Sequence, residues 1–264
     1  MKSIKYFLFL VYLVCFVPLT AQNIISGKVF LDKNGNGIQD RSEHGIKAVP
    51  VSNGRDVVLT DKDGNFSISV ADGESLFPII PSGYTSSSGD IIRSSDFLFK
   101  TRQSKDKVDF ALKKEKQPEH FTLGAIGDIQ MGNPQELDYA NQTIIPELAG
   151  RKDIQLAVWL GDLVNNRLEL FEDVREMIRC TEIPSWVLPG NHDRITNGHT
   201  LQDSLFNCYF GASAYAFNYG NVHFIILNNV APDSKRGYKA RISDRQMTFI
   251  KNDLSYVPKD RFVV

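Results

Sequence analysis

Three short polar segments hold the side chains of this chain that could do chemistry. The first segment is residues 127–130 (GDIQ), the second is residues 161–166 (GDLVNN) and the third is residues 190–193 (GNHD). Together they contain carboxylates, amides and an imidazole. Side chains of these types bind divalent metal ions, and two ions bound side by side can activate water for hydrolysis. The segments therefore indicate the site of a two-metal hydrolase.

Each polar segment follows an apolar run that is typical of a buried parallel strand. The runs cover residues 121–126, 154–160 and 185–188. The carboxyl ends of parallel strands meet at one edge of their sheet, where open α/β sheets bind ligands. The three segments are therefore expected to converge, and this convergence supports a site more strongly than any single motif does.

The second half of the chain alternates between strands and helices, which favours an α/β layered domain. Three stretches have helical patterns, at residues 134–148, 167–180 and 244–254. Two further strand patterns, at residues 214–219 and 222–227, are joined by Gly220-Asn221. This pair is typical of a two-residue hairpin turn, so the sheet is expected to be mixed.

The first half of the chain has the pattern of a small β-sandwich. Residues 24–112 form short alternating segments separated by Gly, Asp, Asn and Ser, which are the residues of tight turns. Residues 113–119 (KKEKQPE) are charged and contain a proline, as expected of an exposed connector. The sequence therefore predicts an α+β protein of two domains, a β-sandwich at residues 22–112 and a mixed-sheet α/β domain at residues 120–264.

Residues 1–21 have the pattern of a secretory signal peptide. Lys2 and Lys5 precede an apolar run at residues 6–17. The run is followed by a small-residue cleavage site that ends at Ala21. The run is shorter than the ~20 residues that a spanning helix needs, so no transmembrane segment is expected after cleavage. The chain is therefore expected to be exported to the bacterial periplasm, the cell surface or the medium.

Charge and cysteine content narrow the classes of function. Cleavage after Ala21 removes two of the 30 Lys and Arg and none of the 31 Asp and Glu, which gives a net charge of −3. Such a chain has no electrostatic signal for binding nucleic acid. Cys180 and Cys208 remain, and an oxidising compartment would allow them to pair. The sequence leaves this pairing open.

A second candidate metal site lies in the first half of the chain. Residues 32–43 have the twelve-residue spacing of an oxygen-rich calcium loop, with Gly37 at the sharp turn. With their flanking strand patterns they resemble B-type repeats and carboxypeptidase-regulatory-like sandwiches. The alternative is a polar loop folded on its own Asx turns without an ion. Any calcium here would be structural, and its ligands would be Asp32, Asn34, Asn36, Asp40 and Glu43.

The three polar segments in this order resemble the signature of the calcineurin-like metallophosphoesterase family. The resemblance extends over residues 121–264, and the third segment is its most specific part. It implies a four-layer mixed-sheet domain, incomplete in this chain, that hydrolyses phosphate monoesters or diesters. It also implies two divalent metal ions, which would be Mn, Fe, Zn or Mg.

The resemblance implies roles for individual side chains. Asp162 would bridge the two ions, and His192 would act as proton donor or electrostatic stabiliser at the leaving-group oxygen. Asn165 would hold the ring of His192. The metal ligands would be Asp128, Gln130, Asp162 and Asn191.

The chain departs from the family pattern at three points. Gln130 replaces a histidine, which favours hard ions such as Mg²⁺, Mn²⁺ or Ca²⁺. Asn165 stands where the family often has an aspartate. The later histidine ligands of the family have no counterpart, because the remaining histidines do not have their positions; these are His44, His120, His199 and His223. Asp193 and Arg194 border the third segment and could contact substrate, or could form a helix cap and an ion pair.

Three functions remain open from the sequence. The first is an exported metal-dependent phosphoesterase that acts on a small-molecule or surface phosphate ester. The second is a truncated, inactive relative that keeps the first half of the metal site. The third is a calcium-stabilised surface or adhesion module built from the first domain. The sequence predicts neither the identity of the substrate nor the oligomeric state.

Overall fold

The structure is a computed structural model that describes residues 23–95, 97–99, 106–197, 200–235 and 237–264. The expected signal peptide at residues 1–21 lies outside these residues. Among the helices of the described ranges, none combines the length and the apolar character needed to cross a membrane.

The strands of the first half form two four-stranded sheets. Their bounds are β1 (Asn23–Leu31), β2 (Pro50–Ser52), β3 (Val57–Leu59), β4 (Asn65–Val70), β5 (Ser75–Pro78), β6 (Tyr84–Ser86), β7 (Leu98–Phe99) and β8 (Lys107–Lys114). One sheet has the strand order β4-β1-β8-β6 and the other β3-β2-β5-β7. Val29, Val51 and Leu76, which come from both sheets, are buried in one apolar cluster. The alternating pattern therefore corresponds to two sheets that pack face to face.

The second half of the chain contains helices and further strands. The helices are α1 (Pro134–Gly150), α2 (Phe171–Arg179), α3 (Ser204–Phe210) and α4 (Asp244–Leu254). The strands are β9 (Thr122–Ile126), β10 (Ile154–Trp159), β11 (Ser185–Val187), β12 (Ile195–Asn197), β13 (Thr200–Gln202), β14 (Tyr215–Tyr219), β15 (Val222–Ile226), β16 (Val230–Asp233), β17 (Gly237–Ala240) and β18 (Phe262–Val263). The predicted mixed α/β class is confirmed, whereas the four-layer arrangement stays a prediction.

Two three-stranded sheets dominate this half. Strands β9, β10 and β11 are parallel, with Trp159 of β10 in register with Ile126 and Val187 on either side. Strands β14 and β15 form the predicted antiparallel hairpin, and β18 adds to β15 in parallel. The second sheet is therefore mixed, as the sequence predicts.

Helix α1 begins where the sequence supplies a cap. The side chain of Asn133 accepts a hydrogen bond from the peptide N–H of Glu136 at 3.1 Å, and Pro134 occupies the first turn. The amide acceptor satisfies one free N–H of the first turn, and the proline has no N–H that needs a partner. Helix α1 therefore starts four residues after Gln130, which limits the first polar segment to a short loop.

The parallel sheet is covered on both faces. On one face, Trp159 and Val187 are buried in a cluster with Phe171 of α2 and with residues of α1 and α3. On the other face, the ring of Trp186 stacks on Phe217 of the hairpin with 4.1 Å between centroids. Burying an aromatic or branched side chain of this size contributes about 1.5 to 3 kcal/mol. The sheet is thus a rigid support for the loops at its edge.

The two halves of the chain share a core. Phe77 and Ile79 of the first half are buried in the same cluster as Leu156, Phe224 and Phe249 of the second half. Strand β8 ends at Lys114, two residues into the segment expected to be a connector. The division into two domains therefore stays a prediction, since apolar contacts join the predicted parts.

An ion-pair cluster also joins the two halves. Asp90 of the first half accepts from Arg179 of α2 at 2.6 and 3.1 Å and from Arg175 at 3.4 Å. Burial alone would raise the pKa of Asp90, but the hydrogen bond from Arg179, the N–H of Ile92 and the charges of both arginines lower it below its usual value. The pair is mostly buried, so solvent screens it less than a surface pair.

We expect Asp90→Asn to lower the free energy of unfolding by about 1.5 to 3 kcal/mol at neutral pH, because a charged hydrogen-bond partner is lost. The folded pKa lies below the unfolded value, so the contribution is present above the unfolded value of 3.8 and lost as the pH falls through the folded value. Urea unfolding of both proteins at neutral and acid pH measures the difference. Asp153→Asn, which removes an exposed pair with Arg151, serves as control and should change little. Equal losses in the two variants would contradict the assignment.

The two cysteines of the second half do not form a disulfide. Cys180 follows α2 and Cys208 lies in α3, and both are exposed free thiols. The pairing that the sequence left open is therefore not present in this structure.

Candidate metal centre

The three polar segments lie at one edge of the parallel sheet. They begin within three residues of the ends of β9, β10 and β11, and these strands are neighbours. The peptide N–H of Asp128 donates to the carbonyl of Gly161 at 3.2 Å, and that of Gln130 donates to the carbonyl of Asp162 at 2.8 Å. The structure thus brings the first and second segments together as the parallel strands predict.

Three of the predicted metal ligands have an unusual backbone conformation. The φ angles of Asp128, Gln130 and Asp162 are 60°, 41° and 48°. Residues other than glycine rarely adopt the left-handed region, which costs of order 1 to 3 kcal/mol, and such residues cluster at functional sites. The strain turns the chain sharply after β9 and after β10 and keeps these side chains at the sheet edge.

Asp162 is the residue at which all three segments meet. Its Oδ2 accepts a hydrogen bond from Nε2 of Gln130 in the first segment at 3.1 Å. Its Oδ1 accepts from the peptide N–H of His192 in the third segment at 3.0 Å. Both donors are neutral, so these contacts leave the negative charge of the carboxylate uncompensated.

The second and third segments touch through their backbones. A Cβ atom on Gly190 would lie 1.9 Å from Oδ1 of Asp162 and 2.4 Å from its peptide nitrogen. A Cβ atom on Gly161, whose φ is +87°, would lie 2.4 Å from the nitrogen of Gly190. Only glycine allows this approach, which explains the Gly-Asp and Gly-Asn pairs in the sequence.

His192 and Asn165 are not in the contact that the resemblance implies. His192 is half-buried, and its Nδ1 is buried without a hydrogen-bond partner among the described residues. Asn165 is exposed, and its side-chain oxygen accepts from Asn166 at 3.4 Å. The peptide N–H of Asn165 is bonded to the carbonyl of Met131, which fixes this loop with the Asn165 side chain towards solvent.

Asp193 and Arg194 make structural contacts. Asp193 is fully buried; its Oδ1 accepts from the peptide N–H of Val164 at 3.1 Å and its Oδ2 from that of Gly190 at 2.8 Å. Burial raises the pKa of Asp193 to about 6, although these backbone hydrogen bonds oppose the rise. Arg194 is buried in an ion pair with Asp203. Of the alternatives in the sequence, the ion pair is the one present for Arg194.

The predicted ligands offer oxygen donors. Asp128 is exposed, and Asp162, Gln130 and Asn191 are half-buried at the same edge. In the described ranges no three His, Cys, Asp or Glu side chains are grouped as a metal site, so amide oxygens would have to complete the coordination. Carboxylate and amide oxygens suit hard divalent ions such as Mg²⁺ and Mn²⁺. The residues therefore fit a divalent ion, with the amide of Gln130 turning its oxygen from its present orientation.

The candidate calcium loop is held by its own hydrogen bonds. Asp32 is buried, and its two oxygens accept from the peptide N–H groups of Gly35 at 2.7 Å and Gly37 at 2.8 Å. Glu43 accepts from the backbone at both ends of the loop, and the amides of Asn34 and Asn36 donate to Asp40. The five predicted ligands thus lie together, in the arrangement that the Asx-turn alternative describes. Calcium at this loop stays a prediction.

Of the remaining histidines, those that the structure describes are not at the sheet edge. His44 and His120 are exposed, and His199 lies outside the described residues. His223 is buried in β15, where its Nε2 lies 2.7 Å from a carboxylate oxygen of Asp253 on α4. The packed strand residue expected at His223 is thus observed, and its pairing with Asp253 had no signal in the sequence.

Comparison with known proteins identifies related sequences for both halves. Residues 121–254 match the family model described as calcineurin-like phosphoesterase. Residues 33–115 match the model described as the N terminal of calcineurin-like phosphoesterase. A 3',5'-cyclic-nucleotide phosphodiesterase of Nostoc sp. is 26% identical over 111 residues, which are 42% of this chain and 39% of that protein. The chain therefore covers well under half the length of this relative.

Proposed function

Because this chain belongs to the calcineurin-like phosphoesterase family, we propose that it is an exported hydrolase that cleaves phosphate esters with divalent metal ions. The observation that carries the proposal is the position of Asp162, whose carboxylate contacts the first and third polar segments at once. A carboxylate at such a junction can contact two ions, one on each side. The proposal of two ions rests on this placement together with the family.

The side chains of the three segments would divide the binding of the ions. Asp128 and Gln130 would bind one ion, Asn191 the other, and Asp162 both. Ions bound there would supply the activation of water and the neutralisation of charge on the phosphoryl oxygens. The strained backbone at Asp128, Gln130 and Asp162 supports this assignment, because it holds the main chain of these residues at the sheet edge before an ion arrives.

His192 would hold a proton for the leaving-group oxygen. Its peptide N–H is committed to Asp162, but its Nδ1 has no partner in the described part of the chain. This ring nitrogen is therefore not used to stabilise the fold, unlike the ring nitrogens of His223, which contact Asn218 and Asp253. General acid catalysis by a positioned imidazole contributes about 10² to 10⁴-fold to a rate.

An inactive relative is the alternative function. It is favoured by one observation, that no three His, Cys, Asp or Glu side chains group together within the described ranges. Such a protein would keep the fold and a weak metal site but would not turn over a phosphate ester. Export rests on the pattern of residues 1–21 and is part of the proposal in either case.

Hydrolysis assays of the metal-free chain test the proposed function. Bis-p-nitrophenyl phosphate is the first substrate, since the relative from Nostoc is described as a phosphodiesterase, and p-nitrophenyl phosphate is the second. We expect turnover to require added Mn²⁺, Mg²⁺, Zn²⁺ or Fe²⁺ and to stop with a chelator. Absence of turnover with every ion, in a protein that binds those ions, would favour the inactive relative.

A further inference from the structure

Asp193 joins the second and third polar segments from inside the protein. Its carboxylate has no exposed surface, and each oxygen accepts one peptide N–H. One N–H belongs to Val164, in the second segment, and the other to Gly190, at the start of the third. A single side chain therefore fixes the distance between the loops that hold Asp162 and Asn191.

The second and third segments are joined by two reciprocal hydrogen bonds, each from the backbone of one segment to a carboxylate of the other. Asp162 of the second segment accepts from the backbone of the third at His192, and Asp193 of the third accepts from the backbone of the second at Val164. Both bonds run between the same pair of loops. Asp162 is half-buried at the sheet edge and Asp193 is fully buried beneath it.

Metal binding would affect the hydrogen bonds of Asp162 and those of Asp193 differently. An ion draws on the same oxygens of Asp162 that now accept from Gln130 and His192, so these bonds lengthen or are shared. The oxygens of Asp193 are buried and bonded to Val164 and Gly190, so they are not among the oxygens that an ion would draw on. The loop spacing is thus independent of the carboxylate that binds.

We propose that Asp193 is a positioning residue for the metal centre, which holds Asn191 and Asp162 at a fixed separation and leaves the carboxylate of Asp162 free to bind. The proposal rests on metal binding by this site, which is one part of the proposed function, and does not require turnover. Outer-shell groups of this kind typically contribute 10- to 100-fold to metal affinity.

The chemistry of the side chain explains why an aspartate is needed. Asparagine keeps one acceptor and directs an NH₂ group at the other peptide N–H, so one buried N–H loses its partner. Loss of the bond to Val164 would let the two loops separate, and loss of the bond to Gly190 would loosen the third segment, which holds Asn191. Asp193→Asn therefore removes one of these hydrogen bonds with almost no change in side-chain volume.

Titration calorimetry with Mn²⁺ tests the proposal on the wild-type chain, Asp193→Asn and Asp90→Asn. We expect the Kd of Asp193→Asn to rise by about 10- to 100-fold and that of Asp90→Asn to stay at the wild-type value, although both variants lose stability. An unchanged Kd in folded Asp193→Asn overturns the proposal, as do equal rises in the two variants or a wild-type chain that does not bind Mn²⁺. Turnover is measured separately, so a chain that binds Mn²⁺ but hydrolyses no ester refutes the proposed function alone.

Amide hydrogen exchange of the metal-free wild-type chain gives a second measurement that needs no variant. The N–H groups of Val164 and Gly190 should exchange slowly both without and with Mg²⁺, while the N–H of exposed Asn166 gives the reference rate. Fast exchange at Val164 or Gly190 in the metal-free protein overturns the proposal, even if Asp193→Asn does not fold.

Discussion

Asp162→Asn is expected to remove metal binding and hydrolysis while the protein stays folded. The substitution deletes the charge at the point where all three polar segments meet. Its remaining oxygen can still accept from His192, and the amide of Gln130 can turn to present its oxygen to the new NH₂ group. The local hydrogen bonds therefore survive, whereas the carboxylate that we propose binds both ions is lost.

The expected loss for Asp162→Asn exceeds that for an outer-shell group. We expect Mn²⁺ affinity to fall by more than about 100-fold and hydrolysis to fall to the background rate. Calorimetry with Mn²⁺, ester assays and thermal unfolding measure the three effects. Asp153→Asn is the matched control, because it removes the same charge at an exposed position. A Mn²⁺ affinity within a few-fold of the wild-type value would exclude Asp162 as a ligand.

Gly190→Ala is expected to destabilise the protein and to weaken metal binding at the site. The added Cβ atom would lie 1.9 Å from Oδ1 of Asp162, and the second and third segments would have to move apart. Overpacking of this kind costs typically 1 to 3 kcal/mol, and the movement also breaks the bonds of Asp162 and Asp193 to the opposite loop. We therefore expect lower stability together with weak Mn²⁺ binding.

Urea unfolding of Gly190→Ala is compared with that of Gly150→Ala. A Cβ atom on Gly150 would contact nothing within 4 Å, and this glycine ends α1. Alanine is the better helix former by up to about 1 kcal/mol, so the control should be neutral or slightly more stable. Similar stability of the two variants would mean that the loops can separate without cost.

The location of the site could be predicted from sequence because it depends on a repeated local pattern. Three apolar runs, each followed by polar residues, specify parallel strands that end at one edge, and the structure has β9, β10 and β11 there. The hairpin could be predicted for the same reason, since Gly220-Asn221 determines its turn. Both inferences use residues that are close in the chain.

The contacts that hold the site together could not be predicted, because they join distant residues without a pattern. The bonds of Asp193 to Val164 and Gly190 depend on how two loops stack after the sheet forms. The position of Asn165 failed to follow the resemblance for a related reason, since one backbone bond to Met131 turns its side chain outwards. Spacing in residues does not specify side-chain direction in loops.

The sequence pattern of the candidate calcium loop has two physical explanations. Acidic and amide side chains at alternating positions can bind an ion or can accept from nearby N–H groups, and both need the same residue types. Asp32 accepts from Gly35 and Gly37 in this structure. The sequence pattern therefore predicts a compact loop, and its occupancy by an ion is a separate question of affinity.

The pairing of β1 with β8 has a consequence for synthesis on the ribosome. Residues 26–31 find their parallel partners at residues 107–112, so the first sheet cannot close until the chain has grown past them. Phe77 then still lacks part of its cluster, because that cluster includes Phe249 in the middle of α4. Long-range parallel pairing is slow to form, and incompletely folded chains expose apolar surface. We therefore expect the nascent chain to expose apolar surface, and to be prone to aggregation, until residues of both halves have been synthesised.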